Sequence, residues 1–158
     1  MSILTQSTVA KKVSFFGIGV HTGNKVNISI LPSSPNTGIV FKRIDLKYNN
    51  IVVPNFENVS EATLCTTISN DFGVKVSTIE HLMAAFLGLG IDNAIVEIDS
   101  QEIPILDGSA KDFVKILREI GLQNSDVPIK LIKINNNVSI EEENKFISIE
   151  KSNTTLEI

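Results

Sequence analysis

Of the residues in this chain that could carry chemistry, the adjacent pair Glu80-His81 stands out. A neutral imidazole is a metal ligand. A carboxylate beside a metal ligand can act as general base toward a water that the metal activates. The pair follows Ser77-Thr78-Ile79, so it falls in the first turn of an expected helix. There the positive end of the helix dipole disfavours an imidazolium. Neighbours on a helix point roughly 100° apart, so both side chains can face one cleft without both being ligands. A plainer reading stands beside this one: Glu80 completes a capping box with Ser77, and His81 is a polar residue of the first turn.

The other histidine, His21, lies in the turn-rich stretch Gly17-Ile18-Gly19-Val20-His21-Thr22-Gly23. It is either an exposed loop residue or one presented into a cleft by tight backbone turns. The single cysteine, Cys65, sits in a β-branched stretch and reads as a small buried hydrophobe or as a thiol lining a pocket. With no base identifiable beside it, it is a poor nucleophile. Asp107-Gly108-Ser109 reads as a turn leading into a helix cap. A zinc site built from His21, Cys65 and His81 has suitable ligand types, but nothing in the spacing brings them together. The Gly17-x-Gly19-x-x-x-Gly23 run lacks dinucleotide-loop spacing and opens no helix.

Composition narrows the classes. The 158 residues carry 14 Lys+Arg and 18 Asp+Glu, a formal net charge of −4. No basic cluster is present to neutralise a phosphate backbone, which argues against nucleic-acid binding. No run of about 18 apolar residues occurs, so no transmembrane segment is expected, and no signal peptide is evident. One cysteine excludes an intrachain disulfide and a Cys-rich zinc cluster. The expectation is a soluble cytoplasmic protein. Two histidines cannot make a three-histidine metal site.

The elements that must position these residues follow from periodicity. Val9 to Phe16 alternates as a strand, as do Val26, Ile28 and Ile30, and a further strand begins at Ile39. Ile51 to Pro54 reads as a short extended piece, and Ala62 to Ile68 as a strand carrying Leu64, Cys65 and Thr66. Ser77 at the N-cap opens a helix with Leu82, Ala85, Phe86 and Leu89 on one face, stopped by Gly88 and Gly90. With Val74 to Val76 before it and Ala94 to Ile98 after it, this reads as β-α-β, with a right-handed crossover if the strands are parallel neighbours. Glu102 to Gly108 reads as strand and turn. Ser109 caps a second helix whose stripe is Phe113, Ile116, Leu117 and Ile120, ended by Gly121. The fold class is α+β, a sheet with two helices layered on one face.

Gln123 to Asp126 reads as a linker. Beyond it, Ile129 to Ile134, Val138 to Ile140, Phe146 to Glu150 and Thr154 to Ile158 look like strands with no helix to cover them. The expected organisation is a first domain over 1–124 and, over 125–158, a linker with the incomplete start of a second, similar domain.

Five segments now stand in order: Gly17 to Gly23, Pro35 to Arg43, Ser77 to Ala85, Gly88 to Asn93 and Glu102 to Ala110. Together they resemble the zinc-dependent UDP-3-O-acyl-N-acetylglucosamine deacetylase family of lipid A synthesis in Gram-negative bacteria. The resemblance is strong over about residues 5 to 122. It implies two α+β domains of similar topology with the active site between them. It implies that Glu80 is the general base and His81 a zinc ligand. It also implies that His21 and the Leu64-Cys65-Thr66 segment line the cleft. The substrate would be a UDP-sugar lipid precursor, and the remaining zinc ligands and a catalytic acid histidine would come from the second domain, in cis or in trans. No histidine follows His81, and catalytic zinc normally takes three protein ligands. The expectation is therefore a chain inactive alone. The alternative is a non-catalytic binding domain of the same fold, pairing with a separate second half.

Overall fold

The computed structural model describes residues 4–152. The fold is α+β, with two helices and several small sheets. Strands β1 (Thr5–Val9), β2 (Val13–Ile18), β3 (Lys25–Leu31), β4 (Ile39–Arg43) and β5 (Ile51–Val52) come first, followed by β6 (Val59–Glu61), β7 (Thr67–Ser69) and β8 (Lys75–Val76). Helix α1 (Glu80–Leu89), strand β9 (Ala94–Ile98) and helix α2 (Lys111–Ile120) complete the core region. β10 (Leu122–Pro128), β11 (Val138–Glu142) and β12 (Lys145–Ile149) follow.

The principal sheet has the order β2-β3-β9-β4-β5. Only β4 and β9 are parallel, in the register Ile39↔Ala94 to Arg43↔Ile98; the other neighbours are antiparallel. The period of two is visible in burial: Val26, Ile28 and Ile30 of β3 and Ala94, Val96 and Ile98 of β9 are buried. They join Leu82, Ala85 and Phe86 of α1 and Phe113 and Leu117 of α2 in one apolar core. The Phe15 and Phe113 rings meet edge to face with centroids 6.0 Å apart. The expected helix stripes thus hold, with Leu89, Ile116 and Ile120 only partly buried.

Several local expectations change. Val9 to Phe16 is not one strand: the chain bends over residues 10–12, where two lysines break the apolar alternation, and β1 and β2 join different sheets. Gln123 to Asp126, expected as a linker, is strand rather than loop. It lies in β10, which pairs antiparallel with β1 (Ser7↔Asn124, Val9↔Leu122), and Ser125 Oγ donates to the Gln6 carbonyl. β8 and β9 are not neighbours. β8 belongs to a three-stranded sheet, β6-β7-β8, so α1 connects two sheets rather than crossing over within one. Glu102 to Leu106 is no regular strand, keeping only one bridge to Ser77; Pro104 has no N–H to give a ladder.

Gly88 stays inside α1, and Gly90, left-handed at φ 69°, ends it. Ile129 to Ile134 has no regular structure. β11 and β12 form a hairpin in the register Val138↔Ile149 to Glu142↔Lys145, with every strand residue exposed. The strand expected over Thr154 to Ile158 lies outside the described residues.

Candidate functional site

Glu80 opens α1, but not as half of a capping box. Ile79 precedes the helix without a side-chain cap, and Ser77 Oγ donates instead to the Gln101 carbonyl. Glu80 turns outward and accepts the Thr66 backbone N–H on Oε2 at 3.0 Å. Its Oε1 lies 3.9 Å from His81 Nε2, and both side chains are about one-third exposed (37% and 30%). Carboxylate and imidazole are therefore adjacent, reachable by solvent, and held at the start of a helix whose opposite side is locked in the core.

The Thr66 contact also explains why Ala62 to Thr66 is loop rather than strand. The amide that a ladder partner would have taken is satisfied by a side chain, and Leu64 adopts φ 63° with 88% of its surface exposed. Only Thr67–Ser69 pairs as strand. Cys65 is half-buried, its Sγ 3.7 Å from Thr67 Oγ1.

A cavity of about 420 Å³ opens beside this loop, and His21, Thr22, Leu64, Cys65, Lys75 and Ser77 are among its lining residues. It brings together three of the residues singled out from sequence, His21, Leu64 and Cys65. Thr66, Glu80 and His81 do not line it; they join it through the Leu64-Cys65-Thr66 backbone and the Thr66–Glu80 hydrogen bond.

What holds the His21 side is a residue that sequence reasoning passed over. Glu102 is fully buried. Its Oε1 accepts the His21 N–H at 2.9 Å and the Thr78 hydroxyl at 3.3 Å. Its Oε2 accepts the Thr22 N–H at 2.8 Å and the Thr22 hydroxyl at 2.6 Å. Burial pushes this carboxyl up, but the hydrogen bonds from His21, Thr22 and Thr78 outweigh that and hold it below the ordinary carboxylate value. Gly19 is part of the same arrangement: a Cβ there would fall on the Glu102 carboxylate and the Thr22 hydroxyl. The available signal was a lone carboxylate set among Ile103, Pro104 and Ile105, a context that favours burial with partners. The N-cap of α2 is Ala110, without a side-chain cap, rather than the expected Ser109; Asp107 closes the turn before the helix. It accepts the Ser109 N–H and hydroxyl, and Ser109 Oγ accepts the Lys111 N–H at the start of α2.

The family model described as UDP-3-O-acyl N-acetylglycosamine deacetylase matches residues 6–158. The chain belongs to the UDP-3-O-acyl-N-acetylglucosamine deacetylase family. Proteins named UDP-3-O-acyl-N-acetylglucosamine deacetylase from Shewanella violacea, Shewanella oneidensis and Shewanella baltica are each 46% identical to it over 147 residues. That match covers 93% of this chain and 48% of each relative. The chain thus spans about half the length of the curated relatives it matches.

The donor set does not by itself fit the zinc that the family implies. Among the described residues no three His, Cys, Asp or Glu side chains come together as a metal site. The conceivable His21, Cys65 and His81 trio does not converge. No helix of the described residues is long and apolar enough to cross a membrane.

Proposed function

We propose that this chain is the first-domain half of a zinc-dependent deacetylase acting on a UDP-sugar lipid precursor, with Glu80 as general base and His81 as one zinc ligand. The observation that carries the reading is the solvent-reachable Glu80–His81 pair at the start of α1, in a chain matching the deacetylase family over nearly its whole length. The domain boundary at 124/125, the layering of α1 and α2 on the principal sheet, and the cleft roles of His21, Leu64, Cys65 and Thr66 belong to the same proposal. The Phe15–Phe113 contact and the shared core support the layering.

Bound zinc would activate a water and polarise the acetamide carbonyl. The further ligands would have to come from outside these 158 residues. Glu80 accepts a proton from the attacking water as its oxygen bonds to the acetamide carbon. Its Oε2 accepts the Thr66 N–H, while Oε1, the oxygen nearer His81, accepts no hydrogen bond from the described residues and is the better placed to take that proton. The carbon–nitrogen bond then breaks, the nitrogen is protonated from the other half of the enzyme, and acetate and the 2-amino sugar nucleotide leave.

Acetate release from the UDP-3-O-acyl-N-acetylglucosamine substrate tests this. The 158-residue chain with added zinc releases none. The chain fused to the remaining half of a Shewanella relative does, and Glu80→Gln in that fusion lowers turnover by about 10²-fold or more. Turnover by the chain alone overturns the incomplete ligand set. A folded fusion without turnover overturns the catalytic reading in favour of a binding domain.

A further inference from the structure

Glu102 is a buried carboxylate with four hydrogen bonds and no ion pair among the described residues. Its donors come from two separate stretches of chain. Oε2 is taken wholly by Thr22, while Oε1 is shared by the His21 N–H and the Thr78 hydroxyl. Thr78 is itself unusual. It is β-branched, buried, and left-handed at φ 58°, a conformation that persists only where the surroundings impose it. It stands two residues before Glu80, so its backbone angle sets the direction in which α1 begins. The adjoining backbone is clamped as well: the Ser77 N–H donates to the Gln101 carbonyl at 2.8 Å, and the Ile103 N–H donates to the Ser77 carbonyl at 3.0 Å.

We propose that Glu102 is the positioning residue of the cleft, fixing the His21 turn through Thr22 and the start of α1 through Thr78, and so setting Glu80 and His81 relative to His21. The functional meaning rests on the deacetylase reading of Glu80 and His81, but the linkage is a property of this chain. Gly19 follows from it, because only a residue without a side chain lets the turn close onto the carboxylate. The same linkage reaches Thr66, which touches Glu80 and not Glu102.

Amide hydrogen exchange and histidine ring resonances, read by NMR on the 158-residue chain, test the linkage without substrate. Failure of the deacetylase reading and failure of this proposal are therefore separate events. Glu102→Gln accelerates exchange at His21 and Thr22 by about tenfold, the scale of one lost charged hydrogen bond. It also accelerates Thr66, while Ile28 and Val96 in the principal sheet stay within about twofold. Thr78→Val, a milder change, shifts the His81 ring resonances and accelerates Thr66 while leaving Thr22 protected. Thr78→Ser, which keeps the hydroxyl, restores both. Unchanged Thr66 exchange in Glu102→Gln and Thr78→Val overturns the proposal. So does Thr78→Ser behaving as Thr78→Val does, or acceleration shared equally by Ile28 and Val96 in both variants.

Discussion

The cavity between the His21-Thr22 turn and the Leu64-Cys65 loop has two unequal walls. On one side, the His21-Thr22 turn is tied to a buried carboxylate by three hydrogen bonds, with Gly19 closing the gap. On the other, the Leu64-Cys65-Thr66 loop shows an exposed Leu64 in a left-handed conformation and is joined to Glu80 by a single backbone donor. The first wall resembles a protein interior in its polar satisfaction and the second a surface loop. A site that binds a substrate needs both kinds: a fixed reference for the reacting atoms, and a border able to adjust as the ligand enters. The Glu80–His81 pair stands at the junction, its helix anchored in the core and the Glu80 carboxylate touching the adjustable side.

Removing the buried carboxylate is the most severe way to break this contrast. Glu102→Ala leaves the His21 and Thr22 amides and the Thr78 hydroxyl without their acceptor and opens a hole. The expected loss is about 3 kcal/mol, from several charge-assisted hydrogen bonds partly replaced by water. A chemical-denaturation midpoint measures it. A loss below about 0.5 kcal/mol, the range of ordinary surface changes, would mean the first wall is no better held than the second.

Gly19→Ala comes next. Its Cβ would meet the Glu102 carboxylate and the Thr22 hydroxyl, and overpacking of this kind costs about 2 kcal/mol. Gly23→Ala is the matched control. That position is left-handed at φ 68° but has open space around it, so only backbone strain of about 1 kcal/mol is expected. A loss at Gly19 no larger than that at Gly23 would show that contact with Glu102 does not shape the turn.

Acid titration sharpens the contrast further. The folded Glu102 carboxyl lies below its ordinary value, so the folded state favours its ionised form. That stability is fully present above the unfolded value of about 4.3 and is lost as pH falls through the folded value. Asp45, lowered mainly by its hydrogen bond from Arg43, and Asp107, lowered mainly by the Ser109 N–H, act with the same sign. Comparison with Glu102→Gln isolates the one group. The variant is less stable at neutral pH, and the gap between the two proteins narrows below about pH 4. A gap independent of pH would show that the carboxylate's charge plays no part in holding the turn.

The walls also differ in how far the sequence revealed them. The Val26-Ile28-Ile30 alternation and both helix stripes were legible, because burial imposes a period; of the candidate site, the sequence showed Glu80 and His81 side by side, and the structure leaves both reachable by solvent. The Ala62–Ile68 stretch looked like strand for its β-branched content. Its backbone partner is a side chain fourteen residues on, which no local pattern announces. Ser77 and Glu80 had the spacing of a capping box but were drawn away, to Gln101 and to Thr66. Glu102 was passed over as an anchor for the same reason, since its donors lie about eighty residues earlier in the His21 turn and 24 residues earlier at Thr78. Gln123 to Asp126, polar enough for a linker, is strand because β1 supplies its partner from the start of the chain. In each case a tertiary contact outvoted a local preference.

The smallest expected effect falls on the adjustable wall. Leu64 is 88% exposed and left-handed, so Leu64→Gly removes little burial. Relief of the left-handed strain, about 1 kcal/mol, is offset by the greater freedom of glycine in the unfolded chain. The net change is within about 0.5 kcal/mol. Amide exchange at Thr66 should rise without any change at His21 or Thr22, because the two walls are linked through Glu80 and Glu102 and not through Leu64. A stability loss above about 2 kcal/mol would reveal packing at Leu64 that its exposure denies. Simultaneous loosening of the His21 turn would show the two walls to be one cooperative unit, and the division between fixed and adjustable sides would fall.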